Sequence, residues 1–167
     1  MGTKGASGMN KMLFGSNTTE VIRSSKLPVL IVPENAVYKN FEKIIYAIDY
    51  KEDNLKMIRE MLNILSLFKV QIQSLYIATK NSMEEEIQHR GFRKLMKDVF
   101  PKAFDSHLLI YNSSVFEGME NFLNEDTNSL LAINYEKTFL NSLLVNSLTK
   151  EMSYQKQNPF QILNQQL

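Results

Sequence analysis

The hydrophobic pattern alternates between short apolar runs and longer segments with helical periodicity, from Lys43 to the end of the chain. The short runs predict strands at Lys43–Asp49, Val70–Ile77, His107–Tyr111, Leu130–Ile133 and Pro159–Leu163. The longer segments predict helices at Asn54–Phe68, Ser82 to about Val99, Val115–Leu123 and Phe139 to about Met152. Alternation of this kind favours right-handed crossovers. We therefore expect an α/β fold, a three-layer sandwich with a five-stranded parallel sheet that binds ligands beyond the carboxyl ends of its strands.

Local signals support two of these helices. The apolar stripe of the first comprises Leu55, Ile58, Leu62 and Leu65. Ser82 and Glu85 have the spacing of a capping box, so they predict where the second helix begins. Gly91 lies inside that second helix.

The first 33 residues have a different composition. Four of the six glycines fall in its first half, at Gly2, Gly5, Gly8 and Gly15. A helix is predicted at Ser16–Ser25, capped by Ser16 or Asn17, and an apolar strand at Pro28–Val32. The continuous apolar run of this strand predicts burial on both faces. A glycine loop that leads into a helix N-terminus is suited to binding phosphate, because backbone amides can approach the anion and the helix dipole favours negative charge.

The two ends of the chain resemble each other when the sequence is shifted by 131 positions. Identical pairs are Ser16 and Ser147, Thr18 and Thr149, Glu20 and Glu151, Pro28 and Pro159, and Ile31 and Ile162. Both segments are predicted to form a helix followed by a strand that begins with proline. We therefore expect a tandem arrangement, in which residues 1–35 are the C-terminal remnant of a first domain copy and residues 41–167 are a complete second copy.

Composition excludes several kinds of function. There is no cysteine, so disulfides, thiolate metal sites and cysteine nucleophiles are excluded. A net charge of +1 gives no reason to expect nucleic acid or a membrane surface as a partner, and we expect a cytoplasmic protein. His89 lies in a polar helix segment and is predicted to be solvated, whereas His107 opens a strand and is predicted to be structural. No metal site and no catalytic residue are predicted.

The pattern Gly2-x2-Gly5-x9-Gly15-Ser16, followed by a helix and by PVLIVP, closely resembles the nucleotide-binding signature of the universal stress protein family. The resemblance implies a Rossmann-like fold in which this pattern joins the fourth strand to the fourth helix and PVLIVP is the fifth strand. It also implies that ATP is the cofactor. The backbone around Gly2, Gly5 and Gly15, with Ser16 and Asn17, would contact its phosphates and ribose. Asp49, at the end of a predicted strand, would face the adenosine.

The second copy departs from this pattern. Asn146-Ser147 stands where the first copy has Gly15-Ser16, and residues 134–145 contain no glycine. Side chains at those positions keep a phosphate at a distance, so the second copy's loop is expected to have lost ATP. The first copy keeps the loop but lacks the strand that would carry its aspartate. An alternative interpretation of Asp49 is a structural carboxylate that ends a strand or caps a helix.

Three functions follow as expectations. The first is a stress-response module that acts by binding or scaffolding, with weak or vestigial ATP binding. The second is a degenerate interaction domain that binds no nucleotide, and the third is a slow ATPase. The sequence offers no convincing water-activating group or metal ligand for the third, so enzyme activity is not expected. We also expect either a homodimer or pairing within the chain through the last strands, Pro28–Val32 and Pro159–Leu163, because family members bury this strand by dimerising.

Overall fold

The computed structural model describes residues 2–3, 20–21, 24–25, 27–33, 41–50, 55–125, 128–135 and 160–164. The chain divides into two compact units. The terminal unit contains residues 1–40 and 130–167, and the central unit contains residues 41–129. The fold is α/β with parallel strand pairs, as the sequence predicted.

The described strands and helices follow the predicted order. The strands are β1 (Gly2–Thr3), β2 (Val29–Pro33), β3 (Lys43–Ala47), β4 (Gln71–Ala78), β5 (Ser106–Tyr111), β6 (Ser129–Tyr135) and β7 (Phe160–Asn164). The helices are α1 (Leu55–Leu65), α2 (Met83–Val99) and α3 (Val115–Glu125), and a 3-10 turn (Ser66–Phe68) follows α1. The predicted helix at 139–152 lies outside the described residues.

The central unit contains a parallel sheet in the order β3-β4-β5. Its register aligns Tyr46 with Ser74, and Ser74 with His107, so these three side chains share one face. Ile44, Ile45 and Tyr46 are all fully buried. Successive strand residues point to opposite faces, so β3 is covered on both sides, as its continuous apolar sequence predicted.

Helices α2 and α3 cover opposite faces of β4. The Phe92 ring of α2 meets the His107 ring edge-on, with 5.4 Å between centroids, on the face of Ser74. Gly118 of α3 lies against Ile77, whose side chain points to the other face. The central unit therefore has the three layers that the sequence predicted. A five-stranded sheet stays a prediction.

Local signals for α1 and α2 are largely confirmed. The Ser82 hydroxyl accepts a hydrogen bond from the Glu85 amide at 3.3 Å, and α2 ends at Val99 as expected. The buried residues of α1 are Met57, Ile58, Met61, Leu62 and Leu65. Leu55, which was predicted in the apolar stripe, is exposed at the first position of the helix. The stripe itself was therefore placed correctly except at its N-terminal end.

Strand β2 shows alternating burial, which corrects the prediction that it is buried on both faces. Val29 and Ile31 are buried, whereas Leu30 is 42% exposed. The strand therefore has one buried and one partly exposed face, the pattern of a strand in an antiparallel pair. The apolar run alone could not distinguish these cases, because Leu30 is apolar whether or not it is covered.

The terminal unit contains the strand order β1-β2-β7-β6. β2 and β7 are antiparallel, with Val29 opposite Ile162, Leu30 opposite Gln161 and Ile31 opposite Phe160. Leu30 and Gln161 are also equivalent positions of the internal repeat, since they lie 131 residues apart. The ladder is therefore symmetric about two equivalent residues, which is the register that a twofold axis gives to two copies of one strand.

The strand pairs on either side of this ladder, β1–β2 and β6–β7, also correspond to each other. β1 is parallel to β2, and its paired residues, such as Gly2 and Val32, lie 30 positions apart. β6 is parallel to β7, and its paired residues, such as Leu131 and Phe160, lie 29 positions apart. The two ends of the chain therefore share the same strand relation, with one residue fewer between the paired strands in the second.

The two glycines inside the described helices give opposite predictions. A Cβ on Gly118 would lie 2.6 Å from Cγ2 of Ile77 and 3.0 Å from Cβ of Asn112, so the packed neighbours would have to move. We expect Gly118→Ala to lower the free energy of unfolding by about 1–3 kcal/mol, despite its better helix propensity. The measurement is urea unfolding followed by circular dichroism.

The matched control is Gly91→Ala in α2, where a Cβ has nothing within 4 Å. Helix propensity acts alone there, so we expect a gain of up to about 1 kcal/mol. Equal effects at the two positions would contradict the packing of α3 against Ile77.

Candidate functional site

Two regions contain the predicted site residues, one in each unit. In the terminal unit, Gly2 belongs to β1 and is paired in parallel with Val32 of β2. Gly5, Gly15, Ser16 and Asn17 lie outside the described residues. The first glycine of the predicted loop thus lies in a strand that is held by a parallel neighbour, and the remaining glycines follow the carboxyl end of this strand in the sequence, where open α/β sheets bind ligands.

The far end of this loop leads towards a short helical turn. The Ser25 amide donates to the Val21 carbonyl at 2.9 Å, and the Ser24 hydroxyl donates to the Glu20 carbonyl at 2.8 Å. These contacts lie within the predicted helix at Ser16–Ser25 and confirm its C-terminal part. The terminal unit therefore contains strand, helical turn and strand in the order expected around a phosphate loop.

Asp49 lies in the central unit, two residues beyond the end of β3. The preceding amide, of Ile48, donates to the Leu75 carbonyl at 3.0 Å, and this hydrogen bond keeps the segment beside β4. Asp49 is half-buried, and its negative charge contributes to the raised pKa of Tyr76. The carboxylate is therefore at the carboxyl end of the sheet, as predicted. Its proposed role towards adenosine stays a prediction.

The most elaborate side-chain cluster of the central unit surrounds Tyr50. The ring of Tyr50 stacks on Tyr76 with 4.0 Å between centroids and lies 4.9 Å from the ring of Phe92. Its hydroxyl is 2.6 Å from Nδ1 of His89. Tyr50 lies three residues beyond β3, Tyr76 lies near the end of β4, and His89 and Phe92 lie in the middle of α2, so the cluster packs the helix against the carboxyl ends of the two strands.

The two tyrosines of this cluster are held in the neutral form. Burial, followed by the influence of Tyr76 and Glu85, raises the pKa of Tyr50 well above its ordinary value. Burial and the adjacent Glu85 carboxylate raise the pKa of Tyr76 as well. Both hydroxyls therefore remain hydrogen-bond donors at every physiological pH, and neither is a candidate for a nucleophile or a base.

His89 corrects the prediction that it is solvated. It is only 7% exposed, and it lies on the buried stripe of α2 with Phe92 and Met96. Burial and the positive charge of Arg93 lower its pKa, which favours the neutral ring. Its Nδ1 shares a hydrogen bond with the Tyr50 hydroxyl, and the tautomer of the ring decides which of the two donates. The signal was present in the sequence, because His89, Phe92 and Met96 have the i, i+3, i+7 spacing of one helix face.

His107 has a similar environment on β5. Its Nδ1 is 2.8 Å from the hydroxyl of buried Ser74, and its ring contacts those of Phe92 and Phe104. Burial and the positive charge of Arg93 lower the pKa of His107 to about 4. The prediction that His107 is structural is consistent with this setting. The two histidines of the chain are thus both neutral, and each lies within hydrogen-bonding distance of a hydroxyl group. The Phe92 ring contacts His107 directly and contacts Tyr50, the partner of His89.

Other kinds of site find little support in the described ranges. Within them, no group of three or more His, Cys, Asp or Glu side chains is placed to hold a metal ion. No helix within the same ranges is both long and apolar enough to cross a membrane. What the described residues provide is a parallel-stranded α/β scaffold, with an aromatic cluster beside Asp49.

Comparison with known proteins points to one class. Residues 1–33 match the model of the universal stress protein family. These residues include the whole glycine pattern and all of β2. None of the curated proteins matches this chain in sequence.

Solved structures with a similar fold include two universal stress proteins. One, from Archaeoglobus fulgidus DSM 4304, has a TM-score of 0.68 and 15% identity, and the match covers 99% of this chain and 59% of that one. Another, from Pseudomonas aeruginosa UCBPP-PA14, has a TM-score of 0.65 and 12% identity, with 98% and 62% covered. The chain thus has the fold of these proteins and spans about three fifths of their length.

The hydrogen bond between Tyr50 and His89 can be tested by removing one hydroxyl. Tyr50→Phe leaves Nδ1 of a buried histidine without its partner, and we expect it to lower the free energy of unfolding by about 1–3 kcal/mol. Tyr111→Phe is the matched control, because the Tyr111 hydroxyl bonds Glu86 at the surface and its loss should have no measurable effect. Urea unfolding of both variants gives the comparison. Equal losses of unfolding free energy would contradict a buried hydrogen bond between Tyr50 and His89.

The lowered histidine pKa values predict a dependence of stability on pH. The folded state keeps His107 neutral down to about pH 4, whereas the unfolded chain protonates it near 6.5. Between these values the unfolded state binds more protons, so stability falls as pH falls. We expect a loss of about 1–3 kcal/mol from this group, complete below pH 4.

The measurement is urea unfolding at several pH values for the wild type and His107→Gln. The difference between the two curves isolates this histidine from the carboxylates, which titrate in both proteins. Curves that stay parallel from pH 7 to pH 4 would show that His107 is not held neutral by the fold.

Proposed function

We propose that this protein is a stress-response module of the universal stress type, which acts by binding or scaffolding and holds ATP weakly. The single observation that supports this most is the match of residues 1–33 to the family model. The parallel pairing of β1 and β2, which precede and follow the glycine loop in the sequence, agrees with it. We place the protein in the cytoplasm, and no enzyme activity is part of the proposal.

The nucleotide would bind at the terminal unit. Backbone amides near Gly2, Gly5 and Gly15 would hold the phosphates, and Ser16 and Asn17 would contact phosphate or ribose. A phosphate loop needs a neighbouring strand to hold it in place, and β1 has one in β2. The spacing of the glycines and this strand pair therefore support the same assignment.

The central unit would serve as the interaction module. At the carboxyl ends of β3 and β4, the stacked rings of Tyr50 and Tyr76 occupy space beside Asp49. The second copy also has Asn146-Ser147 where the first has Gly15-Ser16. These features favour a central unit that does not bind a nucleotide. If the terminal unit does not bind one either, the whole chain is an interaction domain, which is the second candidate function.

The tandem interpretation is part of this proposal. It is supported by the register of β2 and β7, which is symmetric about Leu30 and Gln161, the equivalent residues of the repeat. Two copies of one domain that dimerise through their last strands would produce this register. The first copy would then consist of β1, the glycine loop, a helix and β2.

Titration with a fluorescent ATP analogue tests nucleotide binding. We expect saturable binding that Gly5→Val weakens by roughly tenfold or more, because a β-branched side chain blocks close approach of the phosphate. Gly8→Val is the matched control, since Gly8 lies in the same segment but outside the glycine spacing of the signature. An unchanged affinity in Gly5→Val, or no saturable binding at all, would leave only the interaction-domain function.

Two further variants separate the remaining alternatives. If the central unit binds a nucleotide of its own and Asp49 faces its adenosine, Asp49→Asn should weaken binding of the analogue there, whereas a strand-end role leaves the affinity unchanged. Phosphate release by the wild type should not exceed that of Gly15→Val. A clear excess would favour the slow ATPase over the binding module.

A further inference from the structure

Helix α2 carries an apolar ridge on its solvent side. Met83 is 80% exposed, Ile87 is 62% exposed and Leu95 is 43% exposed. Together with Gly91 they recur every four residues and form one i±4 row, the kind of row by which helices pack on each other. The helix is attached to the sheet by its other side, where His89, Phe92 and Met96 are buried.

Gly91 makes a gap in this ridge. A Cβ at this position would have no atom within 4 Å, so the helix surface is open there. An apolar side chain from another helix can approach the backbone at such a gap more closely than at any residue with a side chain. Ile87, one turn away, is a side chain of that kind.

The charges of α2 are divided along its length. Its first turn contains Glu84, Glu86 and the half-buried Glu85, which adjoins Tyr76, and its later turns contain Arg90, Arg93, Lys94 and Lys97, with Asp98 as their one acidic residue. A second α2 in antiparallel orientation would bring the acidic turn of each copy towards the basic part of the other, and the two helix dipoles would also oppose each other favourably. A parallel orientation would bring like charges together. The surface is therefore complementary to itself.

The last strands leave little room for a second copy. β2 is paired with β7 through residues 29–31 and with β1 through residues 32–33. β7 is paired on one side with β2 and on the other with β6. A homodimer that keeps these ladders must use another surface, and the self-complementary ridge of α2 provides one.

We propose that two copies of this chain associate through antiparallel α2 helices, with Ile87 of each copy over Gly91 of the other and Met83 of each against Leu95 of the other. The twofold axis passes near the level of His89. A helix of this length is only about 25 Å long, and its face buries less than the roughly 800 Å² per partner of a standard interface. The dimer is therefore weak and depends on concentration. It goes beyond the proposed function, since it requires no nucleotide.

Sedimentation velocity of the full chain tests the association over low to high micromolar concentrations. We expect a monomer–dimer equilibrium that Ile87→Lys shifts by raising the dissociation constant roughly tenfold or more. Gly91→Phe should have the same effect by filling the gap, and the open space around Gly91 lets the monomer fold. Leu67→Lys is the matched control, because Leu67 is 78% exposed on the 3-10 turn rather than on α2. A chain that stays monomeric, or a dimer that Ile87→Lys leaves unchanged, would overturn the proposal.

The absence of cysteine allows a test of orientation. In the antiparallel dimer, the two copies of residue 83 lie about 18 Å apart along the helix axes, too far for a disulfide. Residue 83 of one copy and residue 95 of the other are adjacent. We expect a mixture of Met83→Cys and Leu95→Cys proteins to form the mixed disulfide on mild oxidation, and Met83→Cys alone to form none. Rapid crosslinking of Met83→Cys with itself would overturn the antiparallel arrangement.

Discussion

The antiparallel ladder between β2 and β7 joins the two ends of the chain into the terminal unit. β2 has only five residues, and without a partner its apolar residues would line an exposed edge. β7 covers that edge on one side and β1 pairs on the other. The register of the ladder is centred on Leu30 and Gln161, which also correspond in the repeat. One ladder between distant parts of the sequence thus joins β1 and β2 to β7.

The central unit places two histidine side chains between the sheet and the long amphipathic helix α2. His89 and His107 are both kept neutral, and each has a hydroxyl group within hydrogen-bonding distance. Burial disfavours the charged ring, and the hydroxyl partner removes the cost of an unmet polar atom. Tyr50 brings its ring into the same cluster, directly after Asp49. The carboxyl ends of β3 and β4 are therefore packed with side chains rather than lined by glycine.

Several features could be predicted because they depend on neighbours in the sequence. The capping box at Ser82 depends on residues three positions apart, and the parallel order of β3, β4 and β5 follows from alternating strands and helices. Errors arose where burial depends on distant elements. Leu30 belongs to an apolar run but is partly exposed in an antiparallel pair, and Leu55 is left uncovered at the start of α1. His89 was judged by its charged neighbours rather than by the helix face it shares with Phe92.

The sequence by itself determined the α/β class, the order of the described elements, the glycine spacing that resembles the family signature, and the repeat. These are properties of composition, period and spacing, which are local. Only the tertiary structure decided that β2 and β7 pair symmetrically, that both histidines join one aromatic cluster with Tyr50 and Phe92, and that the Met83, Ile87 and Leu95 side of α2 faces solvent. Each of these features depends on contacts between residues that are distant in the sequence. No local sequence pattern specifies which distant surfaces come into contact.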